Sequence, residues 1–188
     1  MSSSIYDNYF DWRNNPADIV KMKQLIVGSD KFEPDILANS IHEKLVELNI
    51  STVLDYGAGL GRNLSLLKNY SNQVDYLELL NYKKNYSEYI NKLGYNEIYY
   101  VEMIPDILSK KYDLIYASVV LQHIANDEIY SKIVETLAKN CKFLLLIQNK
   151  DRLVKPIFYN FFHLICTEDY IGSFPCMHTY SIYSSKLF

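Results

Sequence analysis

Three of the chain's six glycines, Gly57, Gly59 and Gly61, stand at alternate positions in VLDYGAGLGRN (53–63), directly behind an acidic residue, Asp55. Glycine lets a backbone turn sharply and come close to a ligand with no Cβ in between. A second carboxylate, Glu78, follows about 20 residues on, the spacing at which a strand-end acid accepts the hydroxyls of a ribose. Together these residues suit a nucleotide-type ligand held over a strand-to-helix turn. They are not the dinucleotide fingerprint GxGxxG, which needs glycine or alanine where Arg62 stands. They are not a P-loop either, since no GK[ST] follows four spacer residues. A plainer reading stands beside these: a tight turn can carry a glycine or two, and Glu78 can be a solvated strand-end acid.

Such residues need elements to position them. STVLDY (51–56) predicts a strand, RNLSLLKNY (62–70) a helix, and QVDYLEL (73–79) a second strand. A helix through KKNYSEYINKLG, a third strand at EIYYVEM (97–103) and a fourth at YDLIYAS (112–118) follow. NDEIYSKIVETLAKN (126–140) predicts the clearest helix, capped by Asn126, with Ile129, Ile133, Val134 and Leu137 as its apolar stripe. KFLLLIQ (142–148) is apolar enough for a strand buried on both faces. Strands alternating with helices imply a parallel sheet with right-handed crossovers. Ahead of them, Asn15 and Pro16 open one predicted helix and PDILANSIHEKLVELNI carries helical spacing. In the tail, IFYNFFHLI fits a helix or a strand, and MHTYSIYSSKL predicts a closing strand.

With 188 residues the chain is read as a single domain. Apolar content of 49% and charged content of 22% place it among globular proteins of ordinary solubility. No apolar run approaches the roughly 20 residues that cross a bilayer, so no membrane partner is expected. The start of the chain lacks a basic segment followed by an apolar one, the form of a secretory signal. Three cysteines, Cys141, Cys166 and Cys176, form no CxxC pair. Neither a disulfide framework nor a zinc site follows from them, and a reducing cytoplasm is the expected location. No metal is expected; NDE at 126–128 opens a helix, where carboxylates meet free N–H groups. A net charge of −3 speaks against a polyanionic partner such as nucleic acid, though a local basic patch stays open. The 18 tyrosines are read as a reflection of base composition and not as a stacking platform.

VLDYGAGLGRN resembles motif I of the class I, seven-strand, Rossmann-like S-adenosylmethionine-dependent methyltransferases. YDLIYASVVLQHI (112–124) resembles that family's fourth-strand segment, and the likeness covers roughly residues 50 to 150. It implies S-adenosylmethionine as cofactor. Gly57, Ala58 and Gly59 would approach the methionine part, and Asp55 would hold its ammonium, directly or through water. Glu78 would take the ribose and Leu79 lie against the adenine, with Glu102 and Met103 nearby. Ala117 and Ser118 would face the cofactor from the fourth strand. Arg62 pairs with the cofactor carboxylate or dresses the first helical turn. The fold implied is α/β: a three-layer sandwich with a mostly parallel central sheet, helices on both faces, and an antiparallel C-terminal strand. The single domain divides into a helical N-terminal lid (1–50), a cofactor-binding core (51–149) and closing elements (150–188). Tyr9, Trp12 and Arg13 would be lid contacts, or plain packing residues.

The reaction so implied needs a nucleophile held in line with the departing sulfur, and a hydroxyl nucleophile is helped by a base. His123, just past the fourth strand, and His178, at the start of an antiparallel final strand, are the candidates. Structural capping and a surface turn are their respective alternatives. The fourth strand ends in ASVV and not in the [DN]PP[YF] of DNA amino-methyltransferases. Pro175-Cys176 lies in the wrong element for a cytosine-C5 enzyme. The remaining acceptor is a small molecule or a sugar, methylated on oxygen or nitrogen. A nucleic-acid or protein methyltransferase and a non-catalytic cofactor-binding protein are the alternatives.

Overall fold

The structure is a computed structural model that describes residues 19, 33–35, 37, 39–101, 110–121, 124, 126–149, 162–168 and 178–185. The elements in chain order are α1 (Asn39–Glu47), β1 (Thr52–Tyr56), α2 (Leu64–Leu67), β2 (Gln73–Leu79), α3 (Leu80–Ile90) and β3 (Ile98–Val101). They continue with β4 (Tyr112–Ser118), α4 (Asp127–Lys139), β5 (Cys141–Asn149), β6 (Phe162–Glu168) and β7 (His178–Ser185). β2 and β4 keep the bounds their sequence predicts. The helix predicted over 62–70 is shorter: only Leu64–Leu67 are α-helical, between hydrogen-bonded turns. Asn63 is one reason, because its side chain makes no cap bond to this helix and is committed elsewhere.

The core of the sheet is parallel, in the order β3-β2-β1-β4-β5. In β1, Asp55 stands opposite Tyr76 of β2 on one side and Tyr116 of β4 on the other. Strand order therefore reverses direction at β1, and in open α/β sheets ligands bind beyond the strand ends at such a point. β7 pairs antiparallel with β5 and β6 antiparallel with β7, which carries the sheet to seven strands.

Period-two alternation sorts the strand side chains onto two cores. Leu54, Leu77, Ile115, Ala117, Leu144 and Leu146 face the core closed by α4, which contributes Tyr130, Ile133, Val134 and Leu137. Val53, Val74, Tyr76, Leu114, Tyr116, Leu145 and Ile147 face the opposite core, closed by α1, α2 and α3 through residues such as Ile41, Leu45, Leu64, Leu67, Tyr86 and Ile90. Each such buried side chain contributes about 1.5–3 kcal/mol over leaving it in water. β5 is apolar on both faces because both are covered.

The edge where the parallel strands begin is fastened by charge. Asp113 of β4 accepts from the backbone N–H of Ser51 and Thr52, at 2.9 and 3.1 Å, and pairs with Lys142 at 2.7 Å. Asp75 of β2 is buried and takes Lys110 at 2.7 Å and the Tyr112 hydroxyl at 2.9 Å. No helix among the described residues is long and apolar enough to cross a membrane.

Candidate functional site

The glycine stretch lies at the other edge, where β1 ends. Gly57, Gly59 and Gly61 all have left-handed backbones, with φ of +68°, +57° and +76°. Two of them also serve packing: a Cβ on Gly57 would sit 2.4 Å from Val120 Cγ2, and one on Gly61 2.5 Å from Leu93 Cδ1. The amides turn inward. Gly57 and Ala58 donate to the Leu77 carbonyl, at 2.9 and 3.2 Å, and Gly61 donates to Ala58 at 2.9 Å. Gly59 donates to Glu78 Oε2 at 2.9 Å. These N–H groups are thus already used, and a carboxylate occupies the place where a phosphate-binding loop would keep free donors.

Tyrosines hold this loop from behind. The Tyr76 hydroxyl donates to the Gly59 carbonyl at 2.8 Å, and the Tyr95 hydroxyl donates to Asp55 Oδ2 at 2.7 Å. The two rings pack edge to face, with centroids 5.1 Å apart. Nothing in the number of tyrosines points to them; β2 alternation would have placed Tyr76 on the face of Glu78.

Asp55 and Glu78 are both buried. Burial pushes the Asp55 carboxyl up to about 7; the Tyr95 hydrogen bond opposes the rise, Asp35 and Glu78 reinforce it, and Arg62 relieves it. Burial also raises Glu78, against the backbone N–H bonds from Leu79 and Gly59. Both Glu78 oxygens accept one backbone donor, with Leu79 N–H at 2.8 Å on Oε1. Each oxygen keeps a lone pair for a further donor.

Arg62 is engaged by Asp35, a residue that no motif marks. Nη1 lies 2.6 Å from Asp35 Oδ1 and donates to the Glu33 carbonyl at 3.3 Å. Asp35 and Asn63 exchange two bonds, Asp35 N–H to Oδ1 at 2.8 Å and Nδ2 to Asp35 Oδ2 at 3.0 Å. The hydroxyls of Tyr116 and Ser118 also donate to Oδ2, at 2.6 and 2.5 Å. After Ser118 the chain passes through Val119 at φ +59°. A β-branched residue there is strained by about 1–3 kcal/mol. Its N–H donates to the Ile147 carbonyl at 2.7 Å, and Val120 then presses on Gly57.

The structure thus brings together Asp55, Gly57, Ala58, Gly59, Arg62, Glu78, Leu79 and Ser118. Ala117 is separated from them, with its side chain in the core closed by α4. Leu79 joins them through its backbone N–H on Glu78, while its half-buried side chain packs against that same core. His178 begins β7, where its backbone pairs with Asn149 at the end of β5. Tyr9, Trp12, Arg13, Glu102, Met103 and His123 lie outside the described residues. Among the described residues no group of His, Cys, Asp or Glu is placed to hold a metal.

No family model and no curated protein matches the sequence. Solved structures do match. The N-methyltransferase NodS from Bradyrhizobium japonicum WM9, in complex with S-adenosyl-l-homocysteine, is 13% identical at a TM-score of 0.59, over 78% of this chain and 86% of that one. Magnesium protoporphyrin IX methyltransferase (ChlM) from Synechocystis PCC 6803, with bound SAM, is 17% identical at a TM-score of 0.63, over 97% and 99%. An rRNA methylase from Streptococcus thermophilus is 10% identical at a TM-score of 0.56, over 80% and 99%. The chain has the class I S-adenosylmethionine-dependent methyltransferase fold.

Proposed function

We propose that a chain with this fold is an S-adenosylmethionine-dependent methyltransferase acting on a hydroxyl (or amine) of a small molecule or sugar. One observation carries the cofactor reading. The glycine loop spends its amides on Leu77 and Glu78, so it offers a carboxylate where a dinucleotide needs donors for its pyrophosphate. A nucleoside cofactor that carries positive charge and no phosphate suits that arrangement; a phosphate would meet Glu78.

The donor set fits this cofactor. Glu78 holds the ribose hydroxyls on its two remaining lone pairs. Asp55 supplies negative charge toward an ammonium, and Arg62 supplies a guanidinium toward a carboxylate. Leu79 offers an apolar contact for the base. When bound, S-adenosylmethionine supplies a methyl group on a sulfonium, already electrophilic. The chain's own task is to align the acceptor and exclude water. For a hydroxyl acceptor, His178 is our candidate to take the proton, since β7 starts at the edge where the parallel strands end. His123 is the other. In this reading β7 is the antiparallel closing strand of the family fold, residues 1–50 form the lid or cap that carries Tyr9, Trp12 and Arg13, with α1 as its part packed on the sheet, and the whole chain acts as one domain.

Calorimetric titration tests the reading. S-adenosylmethionine and S-adenosylhomocysteine should bind the wild type, lose at least tenfold in affinity with Glu78→Ala, and find no counterpart in NAD. Binding of NAD in their place, or of none of the three, refutes it.

A further inference from the structure

We propose that Asp35 is a positioning residue of this site: a latch through which the segment ahead of the sheet orients Arg62 and seats the strained turn after β4 against the glycine loop. The proposal rests on the cofactor reading above for its effect on binding, and on the geometry alone for the latch.

Asp35 sits far along the chain from everything it holds. Its carboxylate draws Arg62 and Asn63 from the turn that follows the glycines, and Tyr116 and Ser118 from the end of β4. Its own N–H returns to Asn63. A carboxylate only 15% exposed needs such donors, and charge-assisted bonds are the stronger kind. The knot also has an address. Asp75 and Asp113 make comparable ion pairs at the opposite edge, where they merely fasten strands. Asp35 makes its pair at the ligand edge, on Arg62, whose charge reaches the Asp55 carboxyl.

From Ser118 the influence runs on through contiguous contacts. Ser118 is bound to Asp35, Val119 to β5 by its N–H, and Val120 to the bare Cα of Gly57. Three consecutive residues thus touch three different parts of the site. Val119 keeps an unfavourable backbone only while its neighbours hold it on both sides. Loss of the Asp35 bond frees Ser118, lets the turn relax, and withdraws Val120 from Gly57. Arg62 is released at the same time from the partner that sets its direction.

Two measurements test this. The first needs no ligand: backbone amide exchange in wild type, Asp35→Asn, Ser118→Ala and the double variant. Asp35→Asn should speed exchange at Val119 and Gly57 at least tenfold, while the Thr52 amide bound to Asp113 keeps its protection. The double variant should add little to the larger single effect. The second is S-adenosylhomocysteine titration. Asp35→Asn should weaken binding tenfold or more, and Asp113→Asn, a comparable loss of an ion pair far from the loop, should leave it unchanged. If Asp35→Asn does not fold, Ser118→Ala carries both tests with a smaller effect in the same direction. Unchanged exchange at Val119 and Gly57 overturns the latch, and so does an equal loss of affinity in Asp113→Asn. Wild-type protein that binds no S-adenosylhomocysteine defeats the cofactor reading instead, and leaves the exchange result to judge the latch.

Discussion

Asp55 is a carboxyl whose chemistry departs far from its type. With its carboxyl pushed up to about 7 from an ordinary 3.8, the folded chain binds a proton that the unfolded chain has already released. The stability this brings is complete below the unfolded value and lost as pH rises through about 7. We therefore expect the thermal midpoint of the cofactor-free protein to fall between pH 5.5 and 8, with a shallower fall in Asp55→Asn. On the proposed reading, cofactor binding has the opposite sign, since an ammonium wants the ionised carboxylate: S-adenosylhomocysteine affinity should rise over the same interval. Tyr95→Phe removes the hydrogen bond that holds the carboxyl down, so the midpoint of that rise should move to higher pH. The sequence names Asp55 and Glu78 by their places at strand ends, and the structure brings them to the loop. It gives no sign of Tyr95 or Asp35. Their roles arise from partners 40 residues away for Tyr95, and 28, 81 and 83 residues away for Asp35.

At the scale of elements, legibility follows the strength of the local pattern. The α4 helix has cap, stripe and end within one window, and the Asn126 side chain does accept from the N–H of Glu128 and Ile129. Asn126→Ala should cost about 1 kcal/mol in urea unfolding. The turn after the glycines is less legible because Asn63 serves a distant carboxylate in place of its own helix. The ion pairs at the far edge of the sheet are silent in sequence, since their partners come from different strands. There burial raises the Asp113 carboxyl, and the Lys142 bond and the Ser51 and Thr52 amides outweigh it, so the net shift is downward. That contribution holds at neutral pH and fades as pH falls through the acid range. Asp113→Asn should destabilise the protein by about 1.5–3 kcal/mol, a loss that denaturation curves at pH 7 and pH 3 would show to shrink in acid.

At the scale of the whole sheet, the strand order reverses beside β1. β1, β2 and β3 lie on one side of the reversal, β4 and β5 on the other. Alternation of strands and helices made that architecture readable, because each crossover must be covered and each covered strand must be apolar. If the site binds as proposed, S-adenosylhomocysteine at a hundredfold excess over its Kd should add about 2.7 kcal/mol to the stability of the fold. Scanning calorimetry should record this as a rise of about 5–10 °C in Tm, with none for NAD.

The pairing of Gly57 with Val120 has a consequence for how the protein is made. On the ribosome the glycine loop emerges early, but the side chain that backs it is added only after β2, α3, β3 and β4. During that interval the loop has the residues for binding and lacks the wall behind them. If the loop binds as proposed, a nascent chain released before the turn after β4 would fail to hold the cofactor, so ligand capture would report that synthesis has passed β4.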